Sequence, residues 1–434
     1  MSLVETLISR YFAVVDGELS FSAIPVCTLA SLYGTPLFIY DERVLNRKWK
    51  LLRQTLPTAF SIHYSVKANP NLTLLRYFLS KGCGLEIASG GEFSLALRAG
   101  CPAGKIIFAG PGKTEAELEL VLSQGIGEIH VESEREIERV AAISRRLGVP
   151  ARIALRVNPS SEAQGGAMRM GGKPAPFGID EESLEPVVDH LAMMSSLEFK
   201  GIHLFTGTQI LDYADLLRQY RKGMDIAKRV ADQLRRPLQT VDFGGGFGIP
   251  YFPNESELDM ERLREGLAEL LADIASDPLF TGTQFIMEPG RYLVGESGLY
   301  LVRINDIKIS RGKKFLIVDG GMNHHLAASG NLGQVIKRNF PVALVNKLEE
   351  EPRETVDVVG PLCTPLDVLA RDVLLPAAEV GDLVGIFQSG AYARTASPLG
   401  FLSHPAPAEV FVCGGESRLI RRRGNYDDWC NDML

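Results

Sequence analysis

Phe60-Ser-Ile-His-Tyr-Ser-Val-Lys-Ala-Asn69 is the stretch from which the fold of this chain can be worked outward. Its alternating, aromatic and β-branched residues are typical of a strand, and Asn69-Pro70 ends the run. We predict a strand near 59–67 with Lys67 at its C-terminal lip. Desolvation there would lower the pKa of the lysine and leave a free amine able to attack a carbonyl. The alternative is a lysine that reaches water, as most do.

Short apolar segments then alternate with helical patterns. We predict strands near 59–67, 84–88, 105–109, 127–132, 152–157, 198–205, 239–243 and 284–288. We predict helices near 71–81, 91–99, 114–124, 134–147, 181–195, 212–234 and 258–275. Eight strands alternating with helices over about 250 residues indicate a (β/α)8 barrel of the TIM type, an α/β fold. A doubly wound open sheet is the alternative.

The chain after Arg291 changes to strand-like runs separated by Gly- and Pro-containing turns, which indicates a second, mainly β domain. Its predicted strands are 299–303, 314–318, 355–359, 383–387 and 408–412. The predicted organisation is an N-terminal segment, 1–35, that joins the β domain, a barrel over 36–292, and the β domain over 293–434.

Composition limits the class of protein. The chain has 434 residues, 45% of them apolar and 23% charged, as in an ordinary globular protein of two domains. A net charge of -7 argues against nucleic acid or an anionic membrane as partner. No apolar run approaches the roughly 20 residues of a membrane span, and we expect a cytoplasmic protein. The six cysteines form no CxxC pair, so neither a metal site nor a disulfide framework is predicted.

The last two barrel strands end in motifs suited to an anion. Asp242-Phe-Gly-Gly-Gly-Phe-Gly248 exposes backbone amides, and Met287-Glu-Pro-Gly-Arg291 adds an arginine. Phosphate sites in barrels are often built by the loops after strands seven and eight. Glu288 would lie beside them, where it could pair with a ring-nitrogen proton or, alternatively, form a surface salt bridge.

The sixth strand ends in Gly201-Ile-His-Leu-Phe-Thr-Gly-Thr-Gln209, and alternation places His203 and Phe205 on one face. His203 is a candidate catalyst or a core residue, and Phe205 is core or a platform for a planar cofactor. In the β domain, two loops stand out because they present Cys363 and Tyr392. Cys363 alone would more often be a buried apolar thiol.

A lysine for a Schiff base, a phosphate cup, a carboxylate for a ring nitrogen and an aromatic platform together describe a pyridoxal 5'-phosphate (PLP) site. With these residues the chain resembles the barrel-type, alanine-racemase-fold (fold type III) PLP-dependent decarboxylases, the group of ornithine, diaminopimelate and arginine decarboxylases. The resemblance spans nearly the whole length. It rests on Ser65-Val-Lys-Ala-Asn69, Gly201-Ile-His203, Gly207-Thr-Gln209, Gly244-Gly-Gly-Phe-Gly248, Glu288-Pro-Gly-Arg291, Gly360-Pro-Leu-Cys363 and Gly390-Ala-Tyr392.

The resemblance implies a role for each residue. Lys67 would hold PLP as a Schiff base, and Cys363, from the partner subunit of a head-to-tail homodimer, would donate a proton after CO2 leaves. Glu288 would face the pyridine nitrogen. The other implied cofactor-binding residues are Glu86, Arg156, His203, Phe205, Thr208, Gly245, Gly246, Gly290, Arg291 and Tyr392. The cysteine favours decarboxylation over racemisation, for which the family would show a tyrosine.

Two departures from the family pattern bear on the substrate. Most relatives have a histidine where this chain has Phe205, and the ornithine and diaminopimelate enzymes have an acidic residue where it has Thr364. Without that charge, the distal ammonium of a diamino acid would be desolvated unpaired. In place of such a substrate, the chain resembles a branch of the family that acts on glutamate tethered by a thioester to an acyl carrier protein.

The likeness to that branch rests on Met170-Gly-Gly, Phe177-Gly178, Phe205-Thr-Gly-Thr-Gln209, Gly321-Met-Asn-His-His325 and Cys363-Thr-Pro365. Arg421-Arg-Arg423 could meet an acidic carrier protein, or be a solvated hairpin turn. The preferred hypothesis is therefore α-decarboxylation of an L-amino acid, free or bound to a carrier protein. The alternatives are a diaminopimelate decarboxylase and a catalytically inactive PLP-binding regulator.

Overall fold

A computed structural model describes residues 2–160, 168–169, 174–205, 207–334 and 336–433. Met170-Gly-Gly and Thr206, which belong to the predicted motifs, lie outside the described residues. Contacts divide the chain into two compact units. The barrel unit comprises Lys50–Ile249 and Glu257–Gly290, and the β unit comprises Met1–Trp49, Pro250–Ser256 and Arg291–Leu434.

Eight parallel strands close into a ring in the barrel unit. They are β1 Phe60–Ser65, β2 Gly84–Ile87, β3 Ile106–Phe108, β4 Glu128–Val131, β5 Ala151–Asn158, β6 Leu197–Leu204, β7 Thr240–Asp242 and β8 Gln284–Met287. Each pairs with the next, and β8 pairs with β1 to close the sheet. The predicted barrel is confirmed, and the open-sheet alternative is wrong. The strands read as apolar runs because both faces of such a sheet are covered.

Helices follow the strands at nearly the predicted places. They are α1 Leu72–Ser80, α2 Gly90–Ala99, α3 Glu115–Ser123, α4 Glu134–Leu147, α5 Leu184–Ala192, α6 Tyr213–Leu234 and α7 Met260–Ile274. Six of them begin after a side chain that accepts a hydrogen bond from the first turn: Asn71, Ser89, Thr114, Ser133, Asp212 and Asp259. These caps fix where each helix starts and so how long each loop at the barrel mouth is. Short strands Met168–Arg169, Ile179–Asp180 and Gly207–Thr208 lie in the loops.

The first strand is shorter than predicted. β1 ends at Ser65, and Val66–Ala68 form a 3-10 turn before Asn69-Pro70. Lys67 therefore projects from a turn rather than from the strand. The proline explains where this turn ends, because the residue before it, Asn69, is disfavoured in helical geometry and is extended here.

The β unit is built on one nine-stranded sheet. Its strands are Leu37–Asp41, Gly298–Ser310, Lys313–Val318, Val342–Leu344, Glu354–Val359, Val368–Leu375, Leu383–Ile386, Ala408–Cys413 and Glu416–Arg421. A three-stranded sheet of Ala13–Val15, Glu18–Phe21 and Ile24–Pro25 accompanies it, with helices Leu3–Tyr11, Val26–Tyr33 and Arg291–Val294. Helix Glu42–Thr55 continues from this unit into the barrel unit.

The predicted boundary at residue 36 differs from the contacts of the structure. Leu37–Asp41 pairs antiparallel with Gly298–Ser310 and parallel with Ala408–Cys413, so residues 36–49 group with the β unit. An apolar run does not reveal which sheet it joins when its partners lie hundreds of residues away. Across the described residues, no helix combines the length and the apolar character needed to cross a membrane.

Candidate active site

Lys67 lies at the carboxyl end of the barrel strands and is held by one carboxylate. Its Nζ lies 3.0 Å from both Oε1 and Oε2 of Glu86, a fully buried residue at the end of β2. The Lys67 side chain is 41% exposed, so the desolvation expected from the sequence is wrong. The turn lifts the amine to the mouth of the barrel, and Glu86 rather than burial fixes its position. Ser65 Oγ donates a further hydrogen bond to Glu86 Oε2 over 2.5 Å.

Phe205 joins Lys67 to the glycine turn. The Lys67 Nζ lies 5.9 Å from the centre of the Phe205 ring. A Cβ added at Gly244 would lie 2.9 Å from the same ring, and one added at Gly245 would lie 3.9 Å from it. Phe205 is half-buried, so one part of its surface stays open at the mouth. The structure thus places the predicted platform between the predicted amine and the predicted phosphate cup.

The Glu288-Pro-Gly290 turn also reaches the lysine. A Cβ on Gly290 would lie 2.9 Å from Ala68 Cβ and 3.1 Å from Ser65 Cβ, which flank Lys67 on either side. The Ser65 amide donates to the Pro289 carbonyl over 3.2 Å. Glycine at 290 therefore permits the two turns to touch.

The glycine turn after β7 has the shape of an anion cradle. Gly244 and Gly246 have φ of +65° and +97°, a left-handed conformation that favours glycine. A Cβ on Gly245 would lie 2.5 Å from the Glu288 carbonyl oxygen, so only glycine fits there. The Glu288 amide donates to the Gly244 carbonyl over 2.7 Å, which ties this turn to the turn after β8. Thr208 is half-buried in the short strand Gly207–Thr208. The Gly207 carbonyl oxygen of this strand would lie 3.0 Å from a Cβ on Gly246.

Glu288 and His203 lie deeper in the barrel and are both buried. His203 Nε2 lies 3.4 Å from Glu288 Oε2. Burial lowers the pKa of His203 well below its usual value, so the imidazole is neutral at physiological pH. Among the described residues, no donor bonds to Glu288 Oε1. A buried carboxyl oxygen without a donor can accept a hydrogen bond from the N–H of a ring nitrogen.

Arg156 forms a second charged pair at the mouth. Its Nη1 donates to Glu132 Oε1 over 2.7 Å, and its guanidinium lies 5.0 Å from the Phe177 ring and 6.0 Å from the Phe205 ring. Burial alone would raise the pKa of Glu132, but the charges of Arg156 and Lys113 outweigh it and hold that pKa below its usual value. Phe177, part of a predicted motif, therefore packs on a site residue.

Three predicted site residues belong to the β unit. Arg291 Nη1 donates to Tyr251 Oη over 3.1 Å, and the guanidinium lies 4.7 Å from the Tyr392 ring. Tyr392 has φ of +52°, a strained conformation for a tyrosine. Cys363 is an exposed free thiol, not the buried one that its residue type suggests. The roles of these three residues in binding and catalysis stay predictions.

The arginine run does not form a free cationic patch. Arg421 pairs with Glu409, and Arg422 Nη1 lies 2.8 Å from Asp428 Oδ2. Arg423 donates to the Tyr33 carbonyl over 3.2 Å. Arg421 ends a strand rather than lying in a turn.

Residues that the sequence left without a role also contribute to the site. Glu132 pairs with Arg156, while His130 and Asp242 lie beside Glu288. A signal for two of them was present. Glu128, His130 and Glu132 occupy alternate positions of β4 and of the residue after it, so their side chains share one face, and that face is the barrel interior.

The described residues fit PLP. The Gly244–Gly246 turn has the left-handed glycines and backbone amides that suit a phosphate, Glu288 offers a buried oxygen to a ring nitrogen, and Lys67 supplies an amine at the mouth. Phe205 provides the aromatic face between them.

Known proteins are similar to this chain over almost its full length. The family described as "Pyridoxal-dependent decarboxylase, pyridoxal binding domain" matches residues 42–295. The L-glutamyl-[BtrI acyl-carrier protein] decarboxylase of Niallia circulans is 37% identical over 93% of this chain and 94% of its own. The diaminopimelate decarboxylase of Aquifex aeolicus is 33% identical over 96% of each chain. The solved diaminopimelate decarboxylase of M. jannaschii with L-lysine has a TM-score of 0.90 at 26% identity, covering 98% of this chain and 97% of that one.

Proposed function

Because the chain belongs to the pyridoxal-dependent decarboxylase family, and is therefore a PLP-dependent carboxy-lyase, we propose that it decarboxylates a glutamyl group carried on an acyl carrier protein. Bound PLP supplies a ring that accepts the electrons released when the bond between the α-carbon and the carboxylate breaks. The remaining work falls to side chains and amides of this chain. Its specificity would come from the groups that surround the substrate side chain.

Lys67 is the proposed point of covalent attachment of PLP, and Glu86 holds its Nζ in place. The backbone amides of Gly245 and Gly246 would bind the phosphate. Glu288 would hold the proton-bearing ring nitrogen, while Phe205 would cover one face of the ring. Each of these groups is positioned by the barrel itself, on turns tied by the hydrogen bond from the Glu288 amide to Gly244.

Cys363 Sγ is the proposed donor of the proton that replaces CO2. The thiol is exposed on the loop Gly360–Asp367, where another molecule can reach it. We propose that it serves the active site of the partner subunit in a head-to-tail homodimer. Asp367 shapes this loop, since its Oδ2 accepts the Leu362 amide over 2.9 Å and its Oδ1 accepts the Met322 amide over 2.6 Å.

The same loop carries the argument about the substrate. Asp367 is its single acidic residue, and it is buried with both oxygens bonded to backbone amides. The position after Cys363 holds the neutral Thr364. The loop therefore offers no free carboxylate to a distal ammonium, whose burial without a partner would cost several kcal/mol. A glutamyl thioester has no such ammonium, and this observation supports the proposal.

CO2 release tests the proposal directly. Purified protein loaded with PLP is given glutamyl-carrier protein, free L-glutamate or meso-diaminopimelate at equal concentration, with Lys67→Ala as the blank. We expect the carrier-bound glutamyl group to be turned over at the highest kcat/KM. Faster turnover of meso-diaminopimelate would contradict the proposed substrate but leave the decarboxylase assignment intact.

Diaminopimelate decarboxylation is the second candidate. Several relatives that are 31–34% identical carry that name, and so does the solved structure with a TM-score of 0.90. On this reading, another group must neutralise the distal ammonium. Thr364→Glu separates the two candidates. If only the missing charge at residue 364 excludes diamino acids, the added carboxylate should raise activity toward them. If another group already neutralises the distal ammonium, it should not.

A further inference from the structure

Buried acids and imidazoles surround Glu288 inside the barrel, and the mechanism above uses few of them. We define the axial cluster as Glu128, His130, His203, Asp242 and Glu288, all of them buried. One polar atom each of His130, His203, Asp242 and Glu288 lies within 4.8 Å of the others. Three carboxyl groups and two imidazoles in so small a volume raise the question of where the protons are.

Among the described residues, neither imidazole donates a hydrogen bond to Glu288 Oε1. His130 Nε2 lies 3.0 Å from Glu128 Oε1, and Glu128 Oε2 accepts the Thr240 hydroxyl over 2.9 Å. His130 Nδ1 lies 3.9 Å from Glu288 Oε1, and His130 Nε2 lies 3.8 Å from Asp242 Oδ2, both beyond hydrogen-bonding distance. The His203 ring stacks on His130 at 4.2 Å and is neutral.

The Asp242 carboxyl group lies between two neighbours, the glycine turn and the carboxyl group of Glu288. Its Oδ1 accepts the Gly244 amide over 2.7 Å. Among the described residues, neither Asp242 Oδ2 nor Glu288 Oε1 has a donor, although one carboxyl oxygen of each side chain lies within 4.8 Å of the other. Two acceptor oxygens can bond only when one of them carries a proton, and two adjacent buried carboxyls do not both ionise. Burial, and then the charge of Glu288, raise the pKa of Asp242 well above its usual value.

We propose that Asp242 is a positioning residue that stays protonated and donates a hydrogen bond to Glu288. Its other oxygen accepts a hydrogen bond from the Gly244 amide. The phosphate cradle and the carboxylate for the ring nitrogen are then fixed as one unit, because the Glu288 amide also bonds to the Gly244 carbonyl. The proton on Asp242 leaves a single negative charge on the pair, which matches one ring N–H. This inference rests on the proposed role of Glu288 toward PLP.

Other charged and titratable groups surround the pair and enter the same balance. Glu128, His130 and His203 belong to the axial cluster, and His63 lies on β1 with a buried neutral ring. Arg156, Glu132 and Glu86 act on His203 from the mouth. Since the cations at the mouth are paired with Glu132 and Glu86, they do not compensate a second charge at Asp242.

Infrared spectroscopy of two isosteric variants tests whether Asp242 is protonated. At pH 8.5, where Glu92 is ionised, the difference spectrum of the full-length, cofactor-free wild type minus Asp242→Asn should contain the carbonyl stretch of a protonated carboxylic acid. That band should shift in D2O, be missing from Asp242→Asn and persist in Glu288→Gln. The proposal is overturned by the absence of the band in the wild type, by its persistence in Asp242→Asn, or by stoichiometric bound zinc that Asp242→Asn loses.

PLP titration of the same proteins tests the positioning role. Asparagine keeps the oxygen for Gly244 and presents an N–H to Glu288, so Asp242→Asn should bind PLP within about threefold of wild type. Asp242→Ala should weaken binding by about tenfold or more, with a native circular dichroism spectrum. Equal loss in both variants would overturn the proposal. If the wild type binds no PLP, the proposed function fails, and the infrared band still decides whether Asp242 holds a proton.

Discussion

Gly245→Ala tests the geometry that joins the two turns of the cofactor site. The added Cβ would lie 2.5 Å from the Glu288 carbonyl oxygen, whereas ordinary contact begins near 3.4 Å, so the two turns must separate by about 0.9 Å. The turns cannot separate freely, because the Glu288 amide bonds to the Gly244 carbonyl. Overpacking of this kind costs about 1–3 kcal/mol of folding free energy.

The same displacement should weaken cofactor binding. A shift of this size misaligns Glu288 with the ring nitrogen, and the loss of one charge-assisted hydrogen bond lowers affinity by about 10- to 100-fold. Equilibrium titration of cofactor-free protein with PLP gives Kd, and urea unfolding gives the stability of the same sample. Gly112→Ala is the matched control, since its Cβ meets nothing within 4 Å. A Gly245→Ala protein with wild-type Kd and stability would refute the reasoning.

Three further predictions concern other parts of the chain. Cys363→Ala should slow steady-state formation of the decarboxylated product by about 100-fold or more, the usual contribution of a positioned acid, without changing the absorption of bound PLP; an unchanged rate would remove Cys363 from the mechanism. Lys48→Met should destabilise the protein by about 3–5 kcal/mol in urea unfolding, because the buried Glu296 Oε2 loses the cation that lies 2.5 Å from it and keeps the hydrogen bond from the Tyr11 hydroxyl; the exposed Lys50→Met is the control. Burial raises the pKa of Glu92 from 4.5 to about 7, so the native state binds more protons than the unfolded one between these values and the free energy of unfolding falls as pH rises through them. Glu92→Gln should remove that slope and exceed wild-type stability at pH 8 by up to about 3 kcal/mol, whereas a parallel pH profile would contradict it.

The barrel could be predicted because its signal is local. Each strand is an apolar run ended by turn residues, and six of the seven helices start at a capping side chain, as at Ser89 and Ser133. The count of eight then selects the closed barrel. Leu37–Asp41 shows the limit of this reasoning, because its two neighbours in the sheet lie more than 250 residues away in sequence.

The site could be predicted where one motif carries one function, and less well where several strands meet. Lys67, Phe205, the glycine turn and Glu288 come together as expected. The predicted burial of Lys67 was wrong, since a 3-10 turn lifts this residue from the strand and Glu86 pairs with it. Asp242 lay within a quoted motif, but only the pairing of β7 with β8 reveals that its carboxyl group faces Glu288.

Mapping the lysine that binds PLP tests the central claim most directly. Borohydride reduction of the PLP-loaded protein fixes the cofactor to its lysine, and peptide mass spectrometry then locates the label. We predict a single pyridoxyl group, on Lys67, and none on any lysine of Lys67→Ala. A label on another lysine of the wild type, or no label at all, would contradict the assignment of this barrel mouth as the active site.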